Sequence, residues 1–391
     1  MNDERIIQLR CTQTFWRGDE AILCVLIDIT SLKKIEYSLV EAKKYAESAN
    51  QAKTLFLTTM SHEIRTPLYG ILGTLELFSL SGISGQQQEY MRTLMHSSSS
   101  LLRIVNDSLD LASIEAGKLT LEISAFSPME LAELVVETYA AKAESKGLQI
   151  YTIADTRVPN LCIGDSIRIK QILDNLVNNA VKFTISGHVV LRINVKEQCG
   201  DNICLIFHVV DTGIGISADH LPNLFDPYFR STNKYLPQEP GSGLGLSICS
   251  RLAQLMEGRL WVISERNLGT RFTFEVTLAL AYDKNISPAP QLLSEIVYVD
   301  GSIQEVVNNI CKWLRQWGAQ AMPFRNISNR DNSKKSILIQ AWPPSVIAAH
   351  WTGRKIIALP PALLRDYKGD ENTSITGAYS IVNIGRAVQC M

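Results

Sequence analysis

His62 and Glu63 stand side by side in the run SHEIRTPLYG (61–70), and a histidine next to a carboxylate has a definite chemistry. The Glu63 carboxylate accepts the imidazole Nδ1–H, which fixes the tautomer and leaves Nε2 as a nucleophile. Pro67 removes the amide that would bond the Glu63 carbonyl four residues back. A proline inside a strong helix costs about 3 kcal/mol, so a bend that presents His62 to a mobile partner is expected there. At about 100° per residue, His62 falls opposite Met60 and Ile64, away from the apolar stripe. Taken alone, a solvated histidine on a helix is usually a plain surface residue, and Pro67 a harmless kink.

A second set of residues suits phosphate and a hard cation. In NLVNNAVKFT (175–184), Asn175 and Asn179 lie four apart on one helical face, with Lys182 three further on. Two amide oxygens suit Mg²⁺, which keeps the rest of its shell as water and phosphate oxygen, and Lys182 neutralises phosphate. An asparagine pair of this kind also occurs as a cap or a side-chain network. DTGIGI (211–216) follows a strand-like run, and Gly213 and Gly215 let the backbone turn tightly against a ligand; alone, Gly-x-Gly is an ordinary turn. In GSGLGLSI (241–248), Gly241, Gly243 and Gly245 open an expected helix, and free amides at a helix start suit phosphate. The polar TNKYLPQEP before it reads as a lid. Neither a P-loop nor a Rossmann fingerprint is present.

Long helices must carry the first set. From Ser31 to about Leu80 the pattern is helical, with Leu57, Met60, Ile64, Leu68, Ile71, Leu75 and Phe78 as a seam. SGISG (81–85) breaks it, and a second helix with Tyr90, Leu94, Leu101, Val105, Leu109 and Ala112 on its apolar side runs to about Ala116, where Gly117 stops it. One such hairpin buries half its apolar surface, so two are expected to pair as a four-helix dimer. From Leu119 to about Tyr282 strands and helices alternate as an α/β sandwich, including a helix capped by Ser127 with Pro128 at its first position and Gly147 after its end. SPAP (287–290) reads as a linker. Beyond it a small doubly wound domain is expected, with strands at EIVYVD, AQAMPF, KKSILIQAW, RKIIALP and YSIVNI and no closing helix.

Composition bounds the classes. Hydrophobic residues make up 46% and charged residues 20%, as in ordinary globular protein, and a net charge of −1 gives no electrostatic case for nucleic acid or anionic membrane. Eight scattered cysteines without a CxxC pair, and six dispersed histidines, offer no zinc-ligand spacing. The expectation is reduced, mostly buried thiols. No run reaches about 18 apolar residues and MNDERIIQLR has no apolar leader core.

SHEIRTPLYG resembles the phosphoacceptor box of sensor histidine kinases, and the later boxes follow in that family's order over residues 31–282. The resemblance implies that His62 is the phosphoacceptor, Glu63 its orienting base, and Thr66 the position implicated in dephosphorylating a partner receiver, with Pro67 as the helix kink. It implies ATP and Mg²⁺ as cofactors. Asn179 and Asn175 would be metal contacts, Lys182 a phosphate contact and Phe183 would pack near adenine. Asp211 would accept from the adenine amino group; Gly213, Gly215, Gly241, Gly243, Gly245 and Leu246 would line the nucleotide. LFDPYFR (224–230) resembles the Phe-rich box, with Arg230 a phosphate contact. The last boxes also resemble the wider ATPase superfamily that includes gyrase and MutL.

The implied fold is α plus α/β, multidomain. Residues 1–30 would be the tail of an upstream sensor domain of PAS-like type, 31–118 the dimerisation and histidine phosphotransfer domain, 119–286 the ATP-binding domain, and 291–391 a degenerate, truncated receiver-like domain. Asp300 ends its first strand alone, and SILIQAWPP offers no aspartate where a receiver needs one; order and the 61–70 match make the whole similar to Rcs-type envelope-stress sensor kinases. The expectation is therefore the cytoplasmic core of a hybrid kinase of a bacterial inner membrane, with sensor and active receiver missing. It would be a homodimer that passes phosphoryl to a receiver or histidine phosphotransfer protein, with phosphatase activity toward the receiver alongside. The alternatives are a catalytically silent scaffold or phosphatase partner, and a gyrase-like clamp ATPase.

Overall fold

The computed structural model describes residues 5–17, 19–79, 84–229, 243–281, 290–292, 295–324, 336–345, 351, 353–364 and 372–391. They fall into two compact units, Met1–Leu119 and Thr120–Met391. Among the described residues, no helix is long and apolar enough to cross a membrane.

In the first unit, β1 (Ile7–Trp16) and β2 (Asp19–Asp28) form an antiparallel ribbon. It runs into α1 (Thr30–Ser79), which continues unbroken through Pro67. Asp28 sets the helix start: its Oδ1 accepts from the Thr30 amide (2.9 Å) and hydroxyl (2.6 Å). Helix α2 (Gly85–Glu115) opens with a Ser84–Gln87 capping box, and Gly117 after it takes φ +64°. Leu68, Met91, Leu111 and Ala112 are buried in the hairpin, while Met60, Ile64, Ile71, Leu94 and Leu101 stay exposed. Arg65 donates to Asn106 across it (3.0 Å).

The second unit holds two sheets. The larger is mixed, ordered β3 (Ser124–Phe126), β5 (Cys162–Gly164), β9 (Gly269–Leu280), β7 (Asn202–Asp211), β6 (His188–Cys199), β4 (Gln149–Ala154), with β8 (Arg259–Glu265) also on β9. Helices α3 (Pro128–Ser145), α4 (Ser166–Phe183) and α5 (Gly245–Leu255) complete the layer. Helix α3 starts as its sequence requires, with the Ser127 side chain accepting from the Glu130 amide. Ile169, Ile172, Leu173, Leu176, Val177 and Val181 give α4 one wholly buried face.

The smaller sheet is parallel and ordered β11 (Gln320–Pro323), β10 (Ile296–Asp300), β12 (Ser336–Gln340), β13 (Arg354–Leu359), β14 (Thr373–Gly377). This is the 2-1-3-4-5 order of flavodoxin-like sheets. Its helices are α6 (Gln304–Gln316), the short α7 (Pro361–Leu364) and α8 (Ile381–Gln389). Here the sequence expectation fails: YSIVNI is no strand but holds the cap and first turn of a closing helix, and the last strand lies earlier. Ser380 caps α8 by accepting from the Asn383 amide (3.1 Å), and Ile381, Ile384 and Val388 are buried at helical spacing. A cap plus burial outweighs the strand preference of β-branched residues. The expectation of mostly buried thiols also needs correction: Cys162, Cys204, Cys249 and Cys311 are buried, but Cys11, Cys24, Cys199 and Cys390 are exposed.

The two sheets are joined through polar contacts. Asn309 on α6 accepts from the Ala154 amide (3.3 Å) and donates to its carbonyl (2.8 Å), and Trp313 Nε1 donates to the same carbonyl (3.1 Å). Arg192 on β6 makes a two-pronged ion pair with Glu305. Glu133 of α3, 4% exposed, accepts from the Ile381 amide at the start of α8 (2.7 Å). Burial pushes the Glu133 carboxyl up to about 7, against the hydrogen bonds from Ser380 and Ile381 that favour its charged form.

A carboxyl raised on folding binds its proton more tightly in the native state, so it stabilises at low pH and this contribution is lost as pH rises toward its native value. We expect thermal stability to fall between about pH 4.5 and pH 7. Glu133→Gln, which keeps an acceptor for Ile381, should reduce that slope and stabilise the protein at pH 8 by on the order of 3 kcal/mol. Denaturation midpoints across pH check this, and equal slopes in both proteins would refute it.

Candidate active site

The residues singled out in the second unit come together at one end of the large sheet, between α4, the end of β7 and the start of α5. Helix α4 turns its buried face to the sheet and leaves Asn175, Asn179 and Lys182 half-buried on the other side. Asn175 donates Nδ2 to the Gln171 carbonyl (3.1 Å). Its Oδ1 faces the start of α5 so closely that a Cβ added to Gly245 would lie 2.6 Å away. Phe183, 40% exposed, ends the helix, and the Lys182 ammonium sits 5.2 Å from its ring centroid. Lys146 donates to the Val181 and Lys182 carbonyls (3.1 Å each), satisfying the helix end.

Asp211 is the last residue of β7 and is buried. Its Oδ1 accepts from the Gly213 amide (2.8 Å). Burial raises the carboxyl to about 6, partly offset by the amide hydrogen bonds of Gly213 and Thr270. Gly213 presses on the end of α4: a Cβ there would lie 2.5 Å from the Phe183 carbonyl oxygen and 2.8 Å from Asp211 Oδ1. The same carbonyl accepts from the Ile214 amide (3.3 Å). Gly215 takes φ +65°, and a Cβ there would overlap the Glu265 carbonyl.

Three residues that sequence reasoning missed hold this turn. The Ile216 amide donates to Ser264 Oγ (2.8 Å), which also donates to the Gly269 carbonyl (2.9 Å) and lies 2.9 Å from Thr270 Oγ1; Thr212 Oγ1 accepts from the His188 amide (3.0 Å). Nothing local marks Ser264 and Thr270, which act across the sheet, whereas Thr212 lies within DTGIGI (211–216). Gly243, at φ +73°, accepts from the Tyr228 amide (3.1 Å). Helix α5 then starts at Gly245, beside Asn175, with no side-chain cap hydrogen bond.

This arrangement fits a nucleotide. A buried carboxylate can accept from an N–H donor, the start of α5 lies beside Asn175, and Lys182 offers a positive charge, while the glycines let the loops pack where a Cβ would collide with protein atoms. The asparagine oxygens fit a cation that shares its shell with phosphate. Arg230 and Gly241 lie outside the described residues, and Leu246 is the second residue of α5. A cavity of about 220 Å³ elsewhere in this unit, lined by Leu148, Tyr151, Ile303, Asn309, Trp342 and Tyr379 among others, contains none of these groups.

His62 and Glu63 lie within α1 of the first unit; their side chains are outside the described set. Thr66 and Pro67 are exposed on the same helix.

A helical hairpin bearing an acceptor-type histidine, followed by a layered ATPase fold, defines a histidine kinase core. The chain carries the two domains of such a core: residues 52–117 match the His Kinase A (phospho-acceptor) domain, and residues 164–280 match the histidine kinase-, DNA gyrase B- and HSP90-like ATPase family. It is 37% identical over 272 residues to sensor histidine kinase RcsC of Escherichia coli K12, which covers 70% of this chain and 28% of RcsC. It is 35% identical over 307 residues to sensor histidine kinase GacS of Pseudomonas protegens, covering 78% of this chain and 33% of GacS. The chain thus spans a third or less of these relatives. Among solved structures, full-length ShkA in complex with AMPPNP matches with a TM-score of 0.64 and 27% identity, over 85% of this chain and 71% of that one.

The packing at Gly215 makes a direct test. Gly200 also has positive φ (+60°), but its missing Cβ points into open space. Gly200→Ala should cost about 1 kcal/mol, from the left-handed conformation alone. Gly215→Ala should cost several times as much, because the loop must also leave Glu265. Chemical denaturation of the two variants decides it; equal losses would mean that the loop is not pinned.

Proposed function

We propose that this chain is the catalytic core of a hybrid sensor histidine kinase that phosphorylates its own His62 and passes the group to a receiver aspartate. The observation that carries the reading is that Asp211 and Gly213 pack on the end of α4 while the start of α5 packs on Asn175 of the same helix, in a chain that also carries SHEIRTPLYG on a helical hairpin. Mg-ATP, when bound, supplies the γ-phosphoryl group. Asp211 Oδ accepts from the adenine amino group, and Phe183 packs near the ring. Asn179 and Asn175 hold the cation through their amide oxygens, while Lys182 and the first amides of α5 neutralise phosphate charge. Glu63 holds the proton on His62 Nδ1, so that Nε2 attacks in line. Thr66 takes the phosphatase position. Arg230, Gly241 and Leu246 complete the nucleotide contacts.

Two hairpins would pair through the exposed Met60, Ile64, Ile71, Leu94 and Leu101 to make the dimer. The parallel sheet of residues 296–377 reads as a degenerate receiver. Asp300 ends β10 in register with Gln340 on β12. Its Oδ1 accepts from Ser345 Oγ (2.5 Å), and an amide at position 340 cannot take up phosphoryl as an aspartate does. The true acceptor would then be another receiver domain or a phosphotransfer protein, and membrane attachment would come through segments outside this chain.

Incubating the purified chain with γ-labelled ATP and Mg²⁺ should give acid-labile, base-stable label, which chelation of Mg²⁺ prevents. His62→Gln should abolish it with nucleotide still bound, and Asn179→Asp should abolish it by disturbing the metal. ATP hydrolysis without protein label would point to a clamp ATPase instead. Label persisting in His62→Gln would place the acceptor elsewhere.

Asp211 adds a pH signature. If its charged form accepts from adenine, nucleotide affinity rises as pH increases through about 6. Asp211→Asn should weaken binding by about 10- to 100-fold and flatten that dependence. Calorimetric titration with a non-hydrolysable analogue at pH 5.5 and 7.5 measures both.

A further inference from the structure

The ribbon that leads into α1 carries two cysteines that the kinase chemistry does not use. Cys11 and Cys24 are direct partners in the antiparallel register of β1 and β2, both are exposed, and their sulfur atoms lie 2.9 Å apart. The backbone pattern fixes what kind of pair they form. The Ile29 amide donates to the Ile6 carbonyl (2.9 Å), so residues 6 and 29 occupy a hydrogen-bonded site. Hydrogen-bonded and non-hydrogen-bonded sites alternate along an antiparallel ladder, which puts Cys11 and Cys24, five steps on, in a non-hydrogen-bonded site. There the Cα atoms approach to about 4.5 Å and the side chains are closest, a separation that a disulfide spans.

The ribbon is also tied to the helix. Ile6 donates its amide to Thr30 Oγ1 (2.8 Å), and Thr30 is in turn held by Asp28. The Lys33 amide donates to the Ile29 carbonyl (2.9 Å). Both strands of the ribbon therefore end on the first turn of α1.

We propose that Cys11 and Cys24 are a reversible thiol–disulfide pair whose oxidation clamps the ribbon and thereby the first turn of α1. The oxidant is a small-molecule disulfide. The thiolate of one cysteine attacks it, the oxidant's S–S bond breaks, and one thiolate leaves and takes up a proton. The second cysteine then displaces the other half, forming the Cys11–Cys24 bond. Two protein thiols lose two electrons and two protons in total, and the oxidant becomes two thiols. The buried cysteines compete poorly: burial pushes Cys162 up to about 12 and Cys311 up to about 11, and raises Cys204. Cys11, sharing hydrogen with Cys24, is itself raised above the usual thiol range, so bridging should speed up as pH rises.

The experiment uses the whole chain, reduced and then treated with oxidised glutathione. Non-reducing digestion should yield the Cys11 and Cys24 peptides joined, with the intact mass lower by about 2 Da and restored by dithiothreitol. Hydrogen exchange should slow by on the order of tenfold across both strands and at the amides of residues 30–33, and Cys11→Ser or Cys24→Ser should abolish the response. Absence of the joined peptide when exposed Cys199 or Cys390 becomes glutathionylated would overturn the pair. A bridge that leaves exchange at residues 30–33 unchanged would overturn the coupling to α1.

Discussion

The nucleotide end of the second unit depends on one buried carboxylate. Asp211 closes β7 with its Oδ1 on the Gly213 amide, and that bond turns the chain at the sheet's end. Once turned, Gly213 and Ile214 meet the last residue of α4, which brings the asparagine-bearing helix against the loop. Gly215 then reaches the β8–β9 hairpin at Glu265. A carboxyl this buried is costly when charged, which is why it rises to about 6. Under the proposed function, that cost would give the group its value as an acceptor: a ligand donor that stabilised the anion would recover what burial took away.

The second unit also solves an edge problem. Strand β4 is the last in its sheet, so its outer backbone groups need partners. The Asn309 amide and the Trp313 indole meet both polar groups of Ala154, acting at that point as a neighbouring strand would. Glu133 does the equivalent at the start of α8, where unpaired amides face its carboxylate. Contacts of this kind, made by buried polar groups with defined geometry, hold two sheets in register more specifically than apolar contact alone.

The first unit is different in kind. Among the described residues, a helix of 50 residues with a partner of 31 buries few side chains within one chain. The apolar residues exposed at helical spacing on its outside are those that the proposed pairing with a second copy would cover. The ribbon before it has exposed apolar residues as well, among them Ile7, Leu9, Phe15, Ile22 and Leu26, and two strands alone are only marginally stable.

Local chemistry made much of this legible in the sequence. The hairpin follows from a 3.6-residue period and glycine stops, and α3 from Ser127, Pro128 and Gly147. The strand before Asp211 follows from an apolar run, and the family from short motifs whose order matters more than any one of them. What the sequence could not decide was whatever depends on residues far apart in the chain. YSIVNI has the composition of a strand, and it starts a helix because Ser380 caps it locally and Glu133, 248 positions before Ile381, accepts from the first helical amide. Ser264 carries no motif and becomes a support for the glycine turn only when β8 and β9 pair beside it. Burial likewise belongs to the fold: the sequence names Asp211 and Glu133 as carboxylates, but only the packing around them raises one to about 6 and the other to about 7, because desolvation is a property of the surroundings and not of the residue.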